Sequence, residues 1–363
     1  MAKTESKVGV GIVGCGFVAH MKHLPALKEI PEAEIVSVFD FNAGRAQEVA
    51  ENFGAVGCKV CTDFEEVIRD PNVDTVYILT SNVTHSEYAV RALDAGKHVL
   101  CEKPMAINAA EAKKMYDASV TCGKLLTIGY QNRHTDENRF LKNEAAAGTF
   151  GEIYYSRAIA LRRRAVPTWG VFLNAAEQGG GPLIDIGTHA LDLTLWMMDN
   201  YRPKYCLGST YHKLNQQQET GNAWGDWDPA QFTVEDSAFG MVVMENGATV
   251  SVEAAWAINM ADTREATTLL CGTKGGADTL DGVRINGIRQ GKQYLLRPDF
   301  TAGGVAFYAG NKDCDAPARE AQQWIRAITD GTEVCVKPFE AYTVTRILEG
   351  IYESAKSGEL YRF

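Results

Sequence analysis

Val8-Gly9-Val10-Gly11-Ile12-Val13-Gly14-Cys15-Gly16-Phe17-Val18-Ala19 decides the fold. A six-residue strand-like run ends in a Gly-x-Gly-x-x-Ala turn that opens into a helical pattern. Each small residue answers a separate need. Gly14 permits a tight turn, Gly16 lets backbone N–H groups approach a pyrophosphate at a helix N-terminus, and Ala19 allows close helix–strand packing. Asp40 stands immediately after the second predicted strand, where a carboxylate accepts hydrogen bonds from an adenosine ribose. A bare glycine match would be weak; the strand–turn–helix–strand–Asp order makes it specific. The pattern predicts a dinucleotide site with Gly14, Gly16, Phe17, Val18 and Asp40 among its contacts. A carboxylate repels a 2′-phosphate, which favours NAD over NADP. Arg45, able to stack on adenine or pair with a phosphate, leaves NADP use open.

From Val8 to about Ile128, β-branched runs alternate with amphipathic helices, the pattern of βαβ units and a parallel sheet. The predicted strands are 8–13, 34–39, 73–79, 98–101 and 125–128. Asp63 with Glu66 and Asn108 with Glu111 fit capping boxes, and Gly54, Gly96 and Gly123 sit where left-handed helix ends are wanted. After about Gln131 the pattern changes. A helix over 136–147 leads to the alternating run 152–161, and the runs 239–244 and 248–255 flank Asn246-Gly247, a two-residue hairpin signal. A Gly-rich segment and helix, Gly179 to Met198, is inserted in this half, and a helix over 341–357 closes the chain. The expected division is a doubly wound dinucleotide-binding domain over 1–130 and a substrate-binding α/β domain over 131–363.

A length of 363 residues agrees with two domains, and 45% hydrophobic with 23% charged residues is ordinary globular usage. The net charge of −10 repels phosphodiester backbones and anionic lipid, so neither nucleic acid nor a membrane is an expected partner. The short polar stretch before Val8 is no signal-peptide core, and no run approaches the roughly 20 apolar residues that span a bilayer. A cytosolic address is expected. Nine cysteines, Cys15, Cys58, Cys61, Cys101, Cys122, Cys206, Cys271, Cys314 and Cys335, are scattered and odd in number, and read as reduced thiols. The lone pair Cys58 and Cys61 lacks a second ligand pair, so no metal is expected there or at His20 and His23.

Three segments carry chemistry. Thr80-Ser81-Asn82-Val83-Thr84-His85 and Glu102-Lys103-Pro104 each follow a predicted strand, and open α/β sheets place ligands at those carboxyl ends. Thr80, Asn82, His85, Glu102 and Lys103 are therefore expected at the cofactor, His85 as a pocket-lining residue rather than a base. The third segment is Gly179-Gly180-Gly181-Pro182-Leu183-Ile184-Asp185-Ile186-Gly187-Thr188-His189, with Asp185 and His189 at i and i+4 on one helix face. Asp192, one turn on, reads as structural. Hydride leaves a secondary carbinol only as the hydroxyl proton is removed, which requires a group titrating near neutrality within reach. His189 fits that base, Lys103 would stabilise charge on the substrate oxygen, and Asp185 would orient the imidazole or hold a neighbouring hydroxyl.

These motifs, together with the closing helix Leu348-Glu349-Gly350-Ile351-Tyr352-Glu353-Ser354-Ala355-Lys356-Ser357-Gly358, resemble the Gfo/Idh/MocA oxidoreductase family over nearly the whole chain. The resemblance implies a Rossmann domain, a second α/β domain with a large open antiparallel sheet, and Lys103, Asp185 and His189 as the catalytic set. It also implies that this sheet packs against another subunit, giving a homo-oligomer, and leaves open whether the C-terminal helix packs back on the first domain. Relatives place the segment Arg162–Gly170, after the second domain's first strand, beside the nicotinamide, so Trp169 is assigned to cofactor and Arg163 to substrate, a solvated basic strand end being the alternative for each arginine; Gln131 is also assigned to cofactor. Trp224 and Trp227 lie in a Gly/Asp-rich loop too polar for core, where exposed aromatics suit the apolar face and hydroxyls of a sugar and a buried or interfacial pair is the equal alternative; Trp224 is assigned to substrate. The expected activity is oxidation of a ring hydroxyl of a sugar, glycoside or cyclitol, with C3 of a glucoside favoured. The alternatives are an NAD-dependent glycosidase acting by transient oxidation, which would release free sugar, and a non-catalytic dinucleotide-binding regulator, which would need none of the three catalytic residues.

Overall fold

A computed structural model describes residues 7–217, 219–300 and 315–363. Cys314 lies outside the described residues, as do the first six residues. The chain forms two compact units, Met1–Ala106 with Ala110–His134 and Asn311–Tyr342, and Ile107–Ala109 with Thr135–Gly310 and Thr343–Phe363. Where the sequence suggests one boundary near 130, the chain returns to its first unit after residue 310.

The first unit holds a six-stranded parallel sheet: β1 Val8–Val13, β2 Ala33–Phe39, β3 Gly54–Val60, β4 Thr75–Ile78, β5 His98–Cys101 and β6 Leu126–Ile128, in the order β3-β2-β1-β4-β5-β6. Every residue of β1 is buried, as expected of a central parallel strand covered on both faces. The direction of winding reverses between β1 and β4, and the loops leaving their carboxyl ends flank that point. Strand β3 escaped the sequence reading. It is a half-exposed edge strand interrupted by Gly57, so it lacks an apolar pattern. Gly54 accordingly starts a strand in extended conformation rather than ending a helix on the left-handed side, whereas Gly96 and Gly123 do adopt positive φ. Helix Ala316–Asp330 is part of this unit's core: Ala321, Trp324 and Ile325 pack in the cluster containing Val10, Ile12 and Leu100, and the Trp324 indole donates to Thr75 Oγ1.

The second unit is built on nine strands, β7 Ile153–Leu161, β8 Pro203–Tyr211, β9 Ser237–Met244, β10 Thr249–Ala255, β11 Thr267–Gly272, β12 Gly275–Asp278, β13 Arg284–Arg289, β14 Lys292–Leu296 and β15 Tyr361–Arg362. They run β14-β13-β12-β11-β7-β10-β9-β8-β15, antiparallel throughout except for the parallel pair β7–β10. Asn246 and Gly247 (φ +88°) make the β9–β10 hairpin that the sequence signals. One face is dry. Cys206, Val242, Val250, Ser156 and Leu270 point into it, and Leu193 and Met197 of helix Thr188–Met198 share a buried cluster with Leu270 and Ile285. Gly208 and Gly240 admit Ile351 of helix Pro338–Ser357; a Cβ at Gly208 would stand 2.5 Å from the Ile351 carbonyl oxygen. No helix among the described residues is long and apolar enough to cross a membrane, and the eight described cysteines carry free thiols.

Candidate active site

In the first unit the glycine turn follows β1 as the fingerprint requires. Gly14 adopts φ +94°, and a Cβ there would meet the Leu79 carbonyl at 2.7 Å, so the turn and the end of β4 are in backbone contact. At Gly16 a Cβ would meet nothing within 4 Å, which is the open approach a pyrophosphate needs. Asp40 anchors this turn directly: Cys15 N donates to its Oδ2 at 2.7 Å and Asn42 N to its Oδ1 at 2.8 Å. Each oxygen keeps a further lone pair for a ribose hydroxyl. Phe17 is 73% exposed and Arg45 is also exposed beside the turn, while Val18 is half-buried. These residues fit a dinucleotide.

The strand ends beyond β4 and β5 are held from behind. His85 has no exposed surface; its ring nitrogens lie 2.9 Å from the Pro104 carbonyl and 3.1 Å from that of Thr80. Burial holds its pKa below the ordinary imidazole value despite those two acceptors. The neutral imidazole therefore donates to one of these carbonyls and lies against the other, between the two strand-end loops. Thr80 and Asn82 are half-buried, with Thr80 Oγ1 2.7 Å from Thr84 Oγ1. Glu102 also turns inward, where its Oε1 takes bonds from Lys22 Nζ and His23 Nε2, both at 2.7 Å. Lys22 in turn reaches Glu320 Oε2 at 2.9 Å. Burial alone would raise the Glu102 carboxyl, but Lys22 and His23 outweigh it and hold the group well below the usual range. Glu102 Oε2 accepts the Lys103 amide at 3.0 Å, so this buried cluster fixes the backbone of Lys103, whose side chain is half-buried. Gln131 follows β6 in the short turn Gln131–His134. Lys22 and Glu320 left no trace in the sequence because their partners lie far along the chain.

In the second unit Asp185 sits in a π-helical turn, Leu183–Gly187, that feeds helix Thr188–Met198 bearing His189. The i, i+4 spacing predicts a regular helix; the wider turn is an irregularity of a kind that recurs at functional sites. Asp185 is buried, and the fully buried Trp256 donates its indole N–H to Asp185 Oδ2 at 3.0 Å. His189 is half-buried and Asp192 is buried. The preceding glycines are forced by close approach: Cβ atoms at Gly180 and Gly181 would fall 2.2 Å from Tyr352 Oη and 2.3 Å from the Glu235 carbonyl. Trp256 and Glu235 carry no sequence signal, and Tyr352, though part of the closing-helix motif, shows no sign there of its place at this turn, each being a single residue from a distant element.

The segment after β7 divides by residue. Arg162 is neutralised by Glu265 (Nε to Oε2 2.6 Å) and lies over the Trp224 ring, and Arg164 donates to Asn259 Oδ1 at 2.6 Å. Arg163 is exposed. Trp169 and Trp224 meet edge to face with ring centroids 4.9 Å apart, each 44% exposed. Of the two tryptophans, Trp227 takes the buried alternative in a loop whose composition is polar, donating to the Asn215 carbonyl at 2.8 Å.

The family model for the oxidoreductase family with an NAD-binding Rossmann fold matches residues 8–130, and that for the GFO/IDH/MocA C-terminal domain matches 139–278. The chain belongs to the Gfo/Idh/MocA family. This Gfo/Idh/MocA protein is 32% identical over 357 residues to the D-glucoside 3-dehydrogenase of Escherichia coli K12, covering 98% of each chain. It is 29% identical to the myo-inositol 2-dehydrogenase of Thermotoga maritima over 65% of this chain and 67% of that one. Its fold is that of levoglucosan dehydrogenase solved with NADH and levoglucosan, with a TM-score of 0.81, 22% identity, and coverage of 98% of this chain and 99% of that one. The protein is therefore an NAD-binding oxidoreductase of the dehydrogenase class, with the sheet of six parallel strands as its Rossmann fold.

Proposed function

We propose that this enzyme oxidises the C3 hydroxyl of a glucoside in the cytosol. The observation that carries the reading is the full-length similarity to a D-glucoside 3-dehydrogenase. His189 takes the hydroxyl proton, Lys103 stabilises the negative charge that builds on the oxygen, and Asp185, held by the Trp256 indole, orients the base or an adjacent hydroxyl. Bound NAD supplies the hydride acceptor. Gly14, Gly16, Phe17, Val18, Asp40, Arg45, Thr80, Asn82, Gln131 and Trp169 surround the cofactor, with His85 and Glu102 bracing the loops from within. Arg163 and Trp224 face the substrate.

Incubation with methyl glucosides, free sugars and cyclitols, followed at the reduced-nicotinamide band, tests this: NAD reduction with a glucoside and a 3-keto product by NMR are expected. No NAD reduction with any glucoside would overturn it. Asp40→Ala is expected to weaken NAD by roughly 10- to 100-fold, the scale of a lost charge-assisted bond of about 1.5–3 kcal/mol, while NADP discrimination relaxes. Titration with both cofactors checks this, and unchanged affinities would remove Asp40 from the site.

The enzyme is further proposed to be a homo-oligomer. The face of the second sheet opposite its dry side presents Leu207 (48% exposed), Met241 (49% exposed), Tyr154, Ile288 and Leu295, and Leu207 pairs directly with Met241 across β8 and β9. An apolar face of that kind is covered in stable assemblies. Light scattering at micromolar concentration should give at least a dimer mass; a monomer mass refutes it.

A further inference from the structure

Glu235 is buried in front of β9, and all three of its partners are donors. Gly181 N donates to Oε2 at 2.8 Å, Leu183 N to Oε1 at 3.1 Å and the Tyr352 hydroxyl to Oε1 at 2.8 Å. The two amides belong to the start of the π turn that holds Asp185, where helix N–H groups lack carbonyl partners of their own. The next residue, Asp236, reaches Asp185 through Trp256. The Asp236 carbonyl accepts the Trp256 amide at 3.1 Å, and it is the Trp256 indole that grips Asp185. One dipeptide, Glu235-Asp236, therefore fixes both the turn carrying Asp185 and the indole bonded to it. The chain makes room for this: glycine is required at 180 and 181 because Tyr352 Oη and the Glu235 backbone occupy the space of a side chain.

We propose that Glu235, braced by Tyr352, is a positioning residue that sets Asp185 and the following His189 for proton transfer. The inference rests on the catalytic reading of Asp185 and His189 given above. Glutamine at 235 keeps one carbonyl oxygen, but its amide N–H₂ then confronts either the Gly181 N–H or the donors at Oε1. The turn loses an anchor while its volume is preserved. Phenylalanine at 352 removes a single hydroxyl and leaves the packing of the ring.

The test compares wild type, Glu235→Gln, Tyr352→Phe and His189→Ala by steady-state kinetics on a methyl glucoside and by amide hydrogen exchange over residues 179–189. Expected are faster exchange in that segment for Glu235→Gln and Tyr352→Phe, and a kcat lowered by roughly 10-fold in the former and several-fold in the latter, with substrate KM and NAD affinity nearly unchanged. A role confined to stability would lower Tm and leave kcat per folded molecule at the wild-type value. Should Glu235→Gln not fold, Tyr352→Phe decides alone. Unchanged exchange, or faster exchange with wild-type kcat, overturns the proposal. Faster exchange in an enzyme that turns over no glucoside upholds the clamp and refutes the glucoside reading instead.

Discussion

Replacing His189 with Ala is expected to lower turnover by on the order of 10²–10⁴, the scale of a lost general base, with NAD affinity within a few-fold of wild type. NAD affinity is kept because the substitution leaves the glycine turn and Asp40 intact. The fold should tolerate the change. His189 is half-buried within helix Thr188–Met198, and Ala is the stronger helix former by a few tenths of a kcal/mol. Lys103→Ala should also depress turnover. Its amide remains on Glu102 Oε2, so the strand end keeps its course and the loss reports the ammonium itself. Asp185→Asn should be milder, because a correctly flipped amide oxygen still accepts the Trp256 indole. If His189 is the base, wild-type activity in the oxidative direction should fall as pH drops and the base takes a proton, and this acid limb should vanish or move in His189→Ala. Near-normal turnover with an unchanged acid limb would place the base elsewhere.

How much could be read beforehand depended on how local each signal was. The glycine turn, Asp40 and the strands β1, β2, β4, β5 and β6 were legible because each is a contiguous pattern with a short-range physical meaning. Strand β3 was not, since an edge strand needs no apolar alternation and Gly54 invites reading as a helix end. The spacing of Asp185 and His189 was visible, but not the π turn, which depends on amides captured by Glu235 more than fifty residues away in sequence. The state of Trp227 was undecided for a related reason. Its neighbours Gly225, Asp226 and Asp228 suggest solvent, whereas its indole is buried by partners such as Phe232 and the Asn215 carbonyl. The same limit hid the return of residues 315–342 to the first unit, because an amphipathic helix does not announce which core it completes.

The largest loss of stability is expected from Lys22→Met. Lys22 is buried in the turn Ala19–His23 just after the glycine motif and bonds Glu102, Glu320 and, at 3.4 Å, the Gly129 carbonyl. Methionine matches its length and apolar stem but withdraws the charge, leaving Glu320 without its cation and Glu102 with His23 alone. Removing one partner from such a cluster costs about 3–5 kcal/mol, a large part of the roughly 5–15 kcal/mol that holds a domain together. At about 2–4 °C per kcal/mol for a unit of this size, Tm should fall by roughly 10 °C. The pH dependence identifies the cause. In the wild type burial would lower the Lys22 amine, but Glu102 and Glu320 outweigh it and raise it, so its contribution is complete below the unfolded value near ~10.4 and fades as pH rises through the folded one. The depressed Glu102 carboxyl contributes above its unfolded value near ~4.3 and loses that contribution as pH falls through the folded one. The cluster is thus fully stabilising between those limits. In the variant the carboxyls gain by taking protons, so its deficit should be widest at neutral pH and narrow towards pH 4. A second change, Glu102→Gln, should recover part of the stability by removing one stranded charge. Turnover should not recover with it, because the Lys103 amide then bonds a group no longer anchored by Lys22. Thermal unfolding from pH 4 to 8 measures the stability changes and a steady-state assay the turnover of the double variant, and a Lys22→Met enzyme melting within about 2 °C of wild type across that range would show that the buried cluster does not hold the strand end.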